Sequence, residues 1–205
     1  MIAWASDAAG AGMVAILELD AASVGPFLFS RPVFIGPLVG SLLGSPWIGA
    51  GLGVVFEAMT LEELPLGGRL DFSAPVAAGV AAWLAAGPAA MPCEGAFLAG
   101  LLAGWSHARV ERSLRRGRGA AARRAETSIR SGAPSRLGRE IFAALALQAA
   151  ATFAVVLVAL AVAGPALSRF WPALPDFLRA GAAAAVRSAP WLGAGSLAAS
   201  LWRKA

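Results

Sequence analysis

An acidic side chain within an apolar run is the first feature of this sequence that could do chemistry. Glu57 lies in GLGVVFEAM, residues 51–59, which otherwise has the small and aliphatic residues typical of a membrane helix. An ionisable group inside a membrane segment is costly, and such groups usually face a bundle interior or an aqueous cavity. The alternative is that Glu57 lies near an interface or is neutral through burial. We predict a polar cavity at Glu57.

Two further carboxylates could line the same cavity. Asp20 ends the first apolar segment, and Asp71 follows a GGR turn. Both lie close to predicted helix ends, where a carboxylate can simply cap a helix or reach water. Glu62 and Glu63 are adjacent and cannot share one helical face, so at least one of them is expected to be solvated.

The other reactive side chains do not form a recognisable catalytic or metal site. The chain has one histidine, His107, and one cysteine, Cys93, so it lacks a His/Cys metal pattern and a nucleophile–base pair. A phosphate-binding G-x-x-x-x-G-K-[ST] loop is also missing from the sequence. We therefore predict no catalytic residue, no metal and no cofactor, although a membrane enzyme remains an alternative.

A carboxylate beside a helix break suits the recognition of a neutral polyol. Carboxylates accept hydrogen bonds from sugar hydroxyls, and interrupted helices leave backbone groups free near the membrane midplane, as in secondary transporters. Pro65 and the Gly67-Gly68 pair follow Glu57 closely and would interrupt a helix there. The carboxylate and the break would then serve one polar cavity in an apolar wall.

The elements that must position these residues are apolar helices. Residues 23–50 contain Pro26, Pro32, Pro37 and Pro46, which favours broken or re-entrant half-helices. Small residues on one face also allow close helix packing. In and directly after this region they are Gly36, Gly40, Gly44, Gly49 and Gly53.

The remaining apolar segments predict a multi-helix bundle. Residues 138–164 are the clearest transmembrane helix, with only Gln148 and Thr152 as polar residues in its interior, and 165–180 has the aromatics and prolines of an interfacial stretch. The other apolar segments are 2–22, 72–87, 89–106 and 181–202.

The composition indicates an all-α integral membrane protein. Hydrophobic residues make up 58% of the 205, and charged residues 14%, well below the roughly 25% of soluble domains. We expect one membrane domain over 1–205. Its parts are N-terminal helices over 1–106, a cytoplasmic basic loop over 107–139 and C-terminal helices over 140–205.

Basic residues are concentrated in one region. Ten of the seventeen lie between Arg109 and Arg139. A solvated loop and a nucleic-acid-binding arm are alternatives, but the flanking apolar segments favour a cytoplasmic loop that follows the positive-inside bias, without a nucleic-acid partner. One cysteine excludes an internal disulfide, and the N-terminus lacks the charged region of a removable signal peptide.

Residues 19–68 resemble the IIC membrane subunit of the mannose/fructose/sorbose phosphotransferase system. The similarity consists of an LD, an SRP about ten residues later, the glycine ladder, Glu57 and an LP-x-G motif. Further along, WSHARVER is similar to the QHAAD-type end of a family helix, and LPDFLRAG to an IPEVV-type segment.

The resemblance implies a multi-pass subunit of a bacterial inner membrane that translocates a hexose-type sugar by an elevator-like movement. Its implied partners are a IID membrane subunit, soluble IIA and IIB phosphocarriers, the sugar and lipid, in an oligomer. The IIC subunit is not phosphorylated, so His107 need not accept phosphate, and the basic loop is where a IIB protein could dock.

The resemblance also assigns roles to particular residues. The implied sugar-binding residues are Glu57, Asp20, Asp71 and Ser73, the last two as alternatives for one family position. The implied packing and helix-breaking residues are Gly40, Gly44, Gly49, Gly53, Pro65 and Gly67.

Two departures from the family pattern favour an alternative function. Ser45 replaces an acidic or amide residue of the ladder, and the sequence stops at Ala205, where family members continue through further membrane segments. These departures would suit a truncated permease that acts as a membrane scaffold or sensor without transport.

Overall fold

A computed structural model describes residues 2–19, 29–60, 72–131 and 137–202. All regular secondary structure within these ranges is helical. The helices are α1 (Ile2–Leu19), α2 (Pro32–Leu42), α3 (Pro46–Met59), α4 (Ala74–Ala86), α5 (Cys93–Arg130), α6 (Leu137–Val158), α7 (Gly164–Phe170) and α8 (Asp176–Trp202), with a π-helical turn over Ala159–Ala163 and a 3₁₀ turn over Trp171–Ala173. The prediction of an all-α fold is confirmed.

Helix α4 is the centre of the bundle. Eleven of its thirteen residues are buried, and they are mostly alanine and valine, so the helix is apolar on every side. Helices α1, α2, α3 and α5 pack against it. Helix α6 packs on α1 and α5, and α8 packs on α3.

The α2–α3 hairpin is built on backbone contact between glycines. A Cβ atom on Gly49 would lie 2.1 Å from the carbonyl oxygen of Gly36, and one on Gly53 would lie 2.4 Å from that of Pro32. Gly40 faces Ser45 and Gly49 in the same way, while Gly44 adopts a φ of +73° in the connecting turn, where glycine has no steric penalty.

The hairpin helices are short, as expected for interrupted helices. Their 11 and 14 residues correspond to lengths of about 16 and 21 Å, less than the roughly 30 Å of a bilayer core. Pro32 and Pro46 begin these helices, because the first helical position needs no backbone donor. Pro37 lies inside α2. Pro65 and Gly67 lie outside the described residues.

The predicted clear span is present as a longer helical run. Residues 137–173 form the one run of the described chain that is long and apolar enough to cross a membrane. Its π turn brings Gly164 against Leu84 of α4. Large apolar side chains on the outside of the bundle are compatible with a lipid environment, and they include Ile16, Trp47, Phe142, Val158, Trp191 and Leu192.

The expectation of a basic loop over 107–139 is wrong for most of that range. Helix α5 continues without a break to Arg130, across the boundary that was predicted at residue 106. Arginine, alanine and glutamate are good helix formers, and the i,i+4 pairs Glu111–Arg115 and Glu126–Arg130 support the helix.

Candidate functional site

Glu57 lies beside the start of α2 because the hairpin is antiparallel. Its Oε1 atom accepts a hydrogen bond from the Arg31 guanidinium at 2.7 Å, and Oε2 accepts a longer one from the backbone N–H of Val33 at 3.4 Å. A carboxylate at a helix N-terminus also interacts favourably with the helix dipole. The SRP motif and the glutamate that follows the glycine ladder therefore meet in space.

The Arg31–Glu57 pair lies at the edge of the packed core. The Glu57 side chain is 18% exposed and that of Arg31 is 55% exposed, so the guanidinium reaches outward while the carboxylate is largely covered. The pair offers acceptor oxygens and donor N–H groups side by side. Such a combination can hydrogen-bond to hydroxyls, which both donate and accept.

Ser73 is connected to Glu57 through an aromatic stack and does not touch it in any described contact. Phe56 stacks on Phe72 at 6.3 Å between ring centroids and on Phe97 at 5.1 Å. Ser73 is buried, and its backbone N–H donates to the carbonyl oxygen of Gly104 on α5.

Asp20 and Asp71 lie outside the described residues, so their predicted roles stay predictions.

A second polar site, absent from the predictions, lies between α1, α5 and α6. We call it the buried polar cluster; its members are Glu18, His107, Glu111, Gln148 and Thr152, all at most 5% exposed. Burying so many polar groups is costly unless they bond to one another or to a ligand.

Hydrogen bonds join three helices in this cluster. The Gln148 amide donates to both oxygens of Glu18, at 3.3 and 3.2 Å. The Thr152 hydroxyl lies 3.1 Å from Glu18 Oε2 and 2.9 Å from His107 Nε2. Glu18 of α1, His107 of α5 and the two α6 residues thus form one network.

Glu111 connects the cluster to the basic half of α5. Its Oε1 atom accepts hydrogen bonds from Arg115 Nε at 2.8 Å and from Arg118 Nη2 at 2.6 Å. The Glu111 side chain is 2% exposed, whereas the two arginines are 37% and 26% exposed. Two cations therefore hold this buried carboxylate in its charged form.

Three atoms of the cluster have no hydrogen-bond partner. They are His107 Nδ1, Glu111 Oε2 and Gln148 Oε1, all buried within the described part of the chain. Buried polar atoms are rarely left unpaired, and each unpaired one costs about 1–3 kcal/mol. The cluster can thus form further hydrogen bonds through these three atoms.

Helix α5 contacts Ser73 and the buried polar cluster at positions one helical turn apart. Gly104, whose carbonyl accepts from Ser73, lies three residues before His107 on the same helix. The sequence did contain a signal for the missed cluster, because Gln148/Thr152 is an i,i+4 pair within an apolar segment and His107/Glu111 is an i,i+4 pair directly after one. No group of three or more His, Cys, Asp or Glu residues in the described ranges is placed to hold a metal ion.

These features define an all-α membrane protein whose apolar helices enclose hydrogen-bonded carboxylates. A family model described as the sorbose-specific IIC component of the phosphotransferase system matches residues 7–205. The chain belongs to this family and is a membrane component of a sugar-specific phosphotransferase permease, which works with other components of that system. No curated protein and no solved structure matches it. The resemblance seen in residues 19–68 is confirmed over nearly the whole chain.

Proposed function

We propose that this chain translocates a hexose-type sugar that is phosphorylated as it crosses. The observation that carries the proposal is the match to the IIC family over residues 7–205. The Arg31–Glu57 pair is the proposed sugar-contacting group, because it combines hydroxyl donors and acceptors at the edge of a hairpin too short to span a bilayer. Asp20, Asp71 and Ser73 remain proposed members of the same site.

Replacing Glu57 with glutamine tests the proposed site. Glu57→Gln keeps the size of the side chain and removes the charge that pairs with Arg31, so we expect sugar uptake to fall at least about tenfold. Uptake is measured in vesicles that contain the complex and a phosphorylated IIB-type donor. Asp176→Asn is the matched control, because Asp176 is an exposed residue at the start of α8 paired with Arg179, and it should leave uptake unchanged.

The same assay separates transport from the scaffold alternative. Wild-type flux equal to that of empty vesicles, together with stable co-purification of a IID-type subunit, would support a scaffold or sensor. Wild-type flux that persists undiminished in Glu57→Gln would leave the transport function standing and remove Glu57 from the sugar site.

The partners and the location follow from the same proposal. The chain resides in a bacterial inner membrane as a multi-pass subunit, bound to a IID-type subunit in an oligomer. Exposed apolar side chains of α8, among them Trp191 and Trp202, supply a surface for lipid or for that subunit. The arginine-rich end of α5 would receive a soluble IIB protein, with IIA upstream, through charge complementarity.

A further inference from the structure

The buried polar cluster contains more hydrogen-bond acceptors than donors. The Gln148 amide nitrogen donates to the two oxygens of Glu18, and the Thr152 hydroxyl has only one hydrogen to donate. The unpaired Glu111 Oε2 and Gln148 Oε1 are acceptors by chemistry. What the cluster lacks is therefore a donor.

The direction of the hydrogen bonds identifies the tautomer of His107. Thr152 Oγ1 lies 3.1 Å from Glu18 Oε2 and 3.1 Å from the Gln148 carbonyl oxygen, and while Glu18 is ionised both partners can only accept. The charged carboxylate is the stronger acceptor, so the hydroxyl donates to Glu18. His107 must then donate its Nε2–H to Thr152, which leaves the lone pair of the neutral ring on the unpaired Nδ1 atom.

We propose that the buried polar cluster is a proton-binding site in which one proton is shared along His107, Thr152 and Glu18. A proton from solution binds the lone pair of His107 Nδ1. The Nε2 proton then passes to Thr152 Oγ1 while the Thr152 hydroxyl proton passes to Glu18 Oε2. The products are a neutral Glu18 carboxyl and a neutral His107 with its hydrogen on Nδ1, so one proton is gained and no electron moves.

The proton supplies the missing donor at the right place. His107 Nδ1 changes from an unpaired acceptor to an N–H donor, and Glu111, one turn further along the same face of α5, has the free acceptor Oε2. After the transfer, the Glu18 carboxyl donates to Thr152 Oγ1 and the Thr152 hydroxyl donates to His107 Nε2, so both hydrogen bonds are kept with their directions reversed. A proton also needs no cavity, and a metal ion is disfavoured because the described acidic and histidine side chains form no metal-binding group.

The charges that face the cluster allow it to gain one proton. Helix α1 contributes Glu18, and α5 contributes Glu111, Arg115 and Arg118. Helix α6 contributes only the uncharged Gln148 and Thr152. The two arginines balance the two carboxylates and keep Glu111 ionised, so the added proton belongs to the coupled His107–Glu18 pair. This inference does not depend on the proposed sugar function.

The single histidine of the chain makes the proposal directly measurable. The full chain, labelled with ¹⁵N-histidine and placed in lipid nanodiscs, gives ring signals from His107 alone. At alkaline pH we expect the Nε2–H tautomer. On acidification from about pH 9 to about pH 5, Nδ1 should gain a hydrogen, with Nε2 either keeping its own or losing it to Glu18. A ring unchanged across this range, as bound water alone would give, overturns the proposal.

Variants test whether the proton is shared with Glu18. Thr152→Val and Glu18→Gln each break the shared path, so we expect the midpoint of the ring titration to shift by about 1 to 3 pH units. Thr152→Ser keeps the hydroxyl and should keep the wild-type midpoint, as should the control Glu126→Gln on the exposed part of α5. Equal midpoints in wild type, Thr152→Val and Glu18→Gln would overturn the sharing. Whether the cluster binds a proton is tested by the wild-type titration alone, even where a variant does not fold.

Discussion

Glu18 is a buried carboxylate whose stability depends on donors from a single neighbouring helix. Two bonds come from the Gln148 amide and one from Thr152, both on α6. Hydrogen bonds to charged groups contribute about 1.5–3 kcal/mol each, and the loss of a donor leaves the charge uncompensated. The hydrogen bonds of the cluster thus stabilise the packing of α1 against α6 and α5, in addition to the apolar contacts between these helices.

We predict that substitutions of Glu18 and Gln148 have non-additive effects on stability. Gln148→Leu should lower the free energy of unfolding by about 1.5–3 kcal/mol, because it leaves the Glu18 charge with one donor. Reversible unfolding in detergent micelles measures this change. The double variant Glu18→Leu/Gln148→Leu should lose less than Gln148→Leu alone, because no unpaired charge is buried. An equal or larger loss in the double variant would show that the Glu18–Gln148 bonds do not stabilise the fold.

At the scale of elements, the α2–α3 hairpin holds Arg31 against Glu57. Its helices approach so closely at Gly36, Gly49 and Gly53 that backbone atoms fill the space of a side chain. Helix α8 adds a similar contact, since a Cβ on Gly193 would lie 1.8 Å from the carbonyl oxygen of Ala58. The position of Glu57 is therefore determined by glycine packing on two sides.

Two glycines of α3 form a matched pair for testing the hairpin. In Gly49→Ala the new methyl group would meet the Gly36 carbonyl, so we expect a loss of about 1–3 kcal/mol in unfolding free energy and a weakened Arg31–Glu57 contact. Gly51→Ala adds its methyl group in open space and should be neutral or stabilising by about 1 kcal/mol. Thermal unfolding of both purified variants makes the comparison. Similar melting temperatures for the two would contradict close packing at Gly49.

Helix α5 leads to a prediction about the orientation of the whole molecule in the membrane. Its 38 residues span about 57 Å, far more than the roughly 30 Å of hydrocarbon. We predict that α5 crosses the membrane with its start and its basic end on opposite sides. By the positive-inside bias, the end at Arg130 would then face the cytoplasm and the start at Cys93 the outer side.

The single cysteine allows this orientation to be measured. Cys93 is exposed, so a membrane-impermeant maleimide should label it on right-side-out vesicles. In a Cys93→Ser/Ser131→Cys variant, the new thiol follows the last turn of α5 and should react only after the vesicles are opened. Labelling of both positions from the same side would exclude a crossing by α5.

Local patterns predicted much of the fold and part of the proposed site. The apolar run after residue 137 and the proline and glycine spacing of 32–53 indicated a membrane helix and short, closely packed helices, and both are present. The extension of α5 was missed because a concentration of basic residues between apolar segments suggests a loop, while helix formers and i,i+4 ion pairs favour a helix there. Arg31 belongs to the SRP motif, but its pairing with Glu57 follows only from the antiparallel hairpin.

The membrane class, the helical architecture and the family can be recognised from the amino-acid sequence, because hydropathy, small-residue spacing and motifs are properties of neighbouring residues. Which polar side chains meet is a property of the folded bundle. Glu18 and Gln148 are 130 positions apart, and their contact depends on how α1 and α6 are rotated against each other. That rotation results from packing over the entire bundle, so no local pattern encodes it.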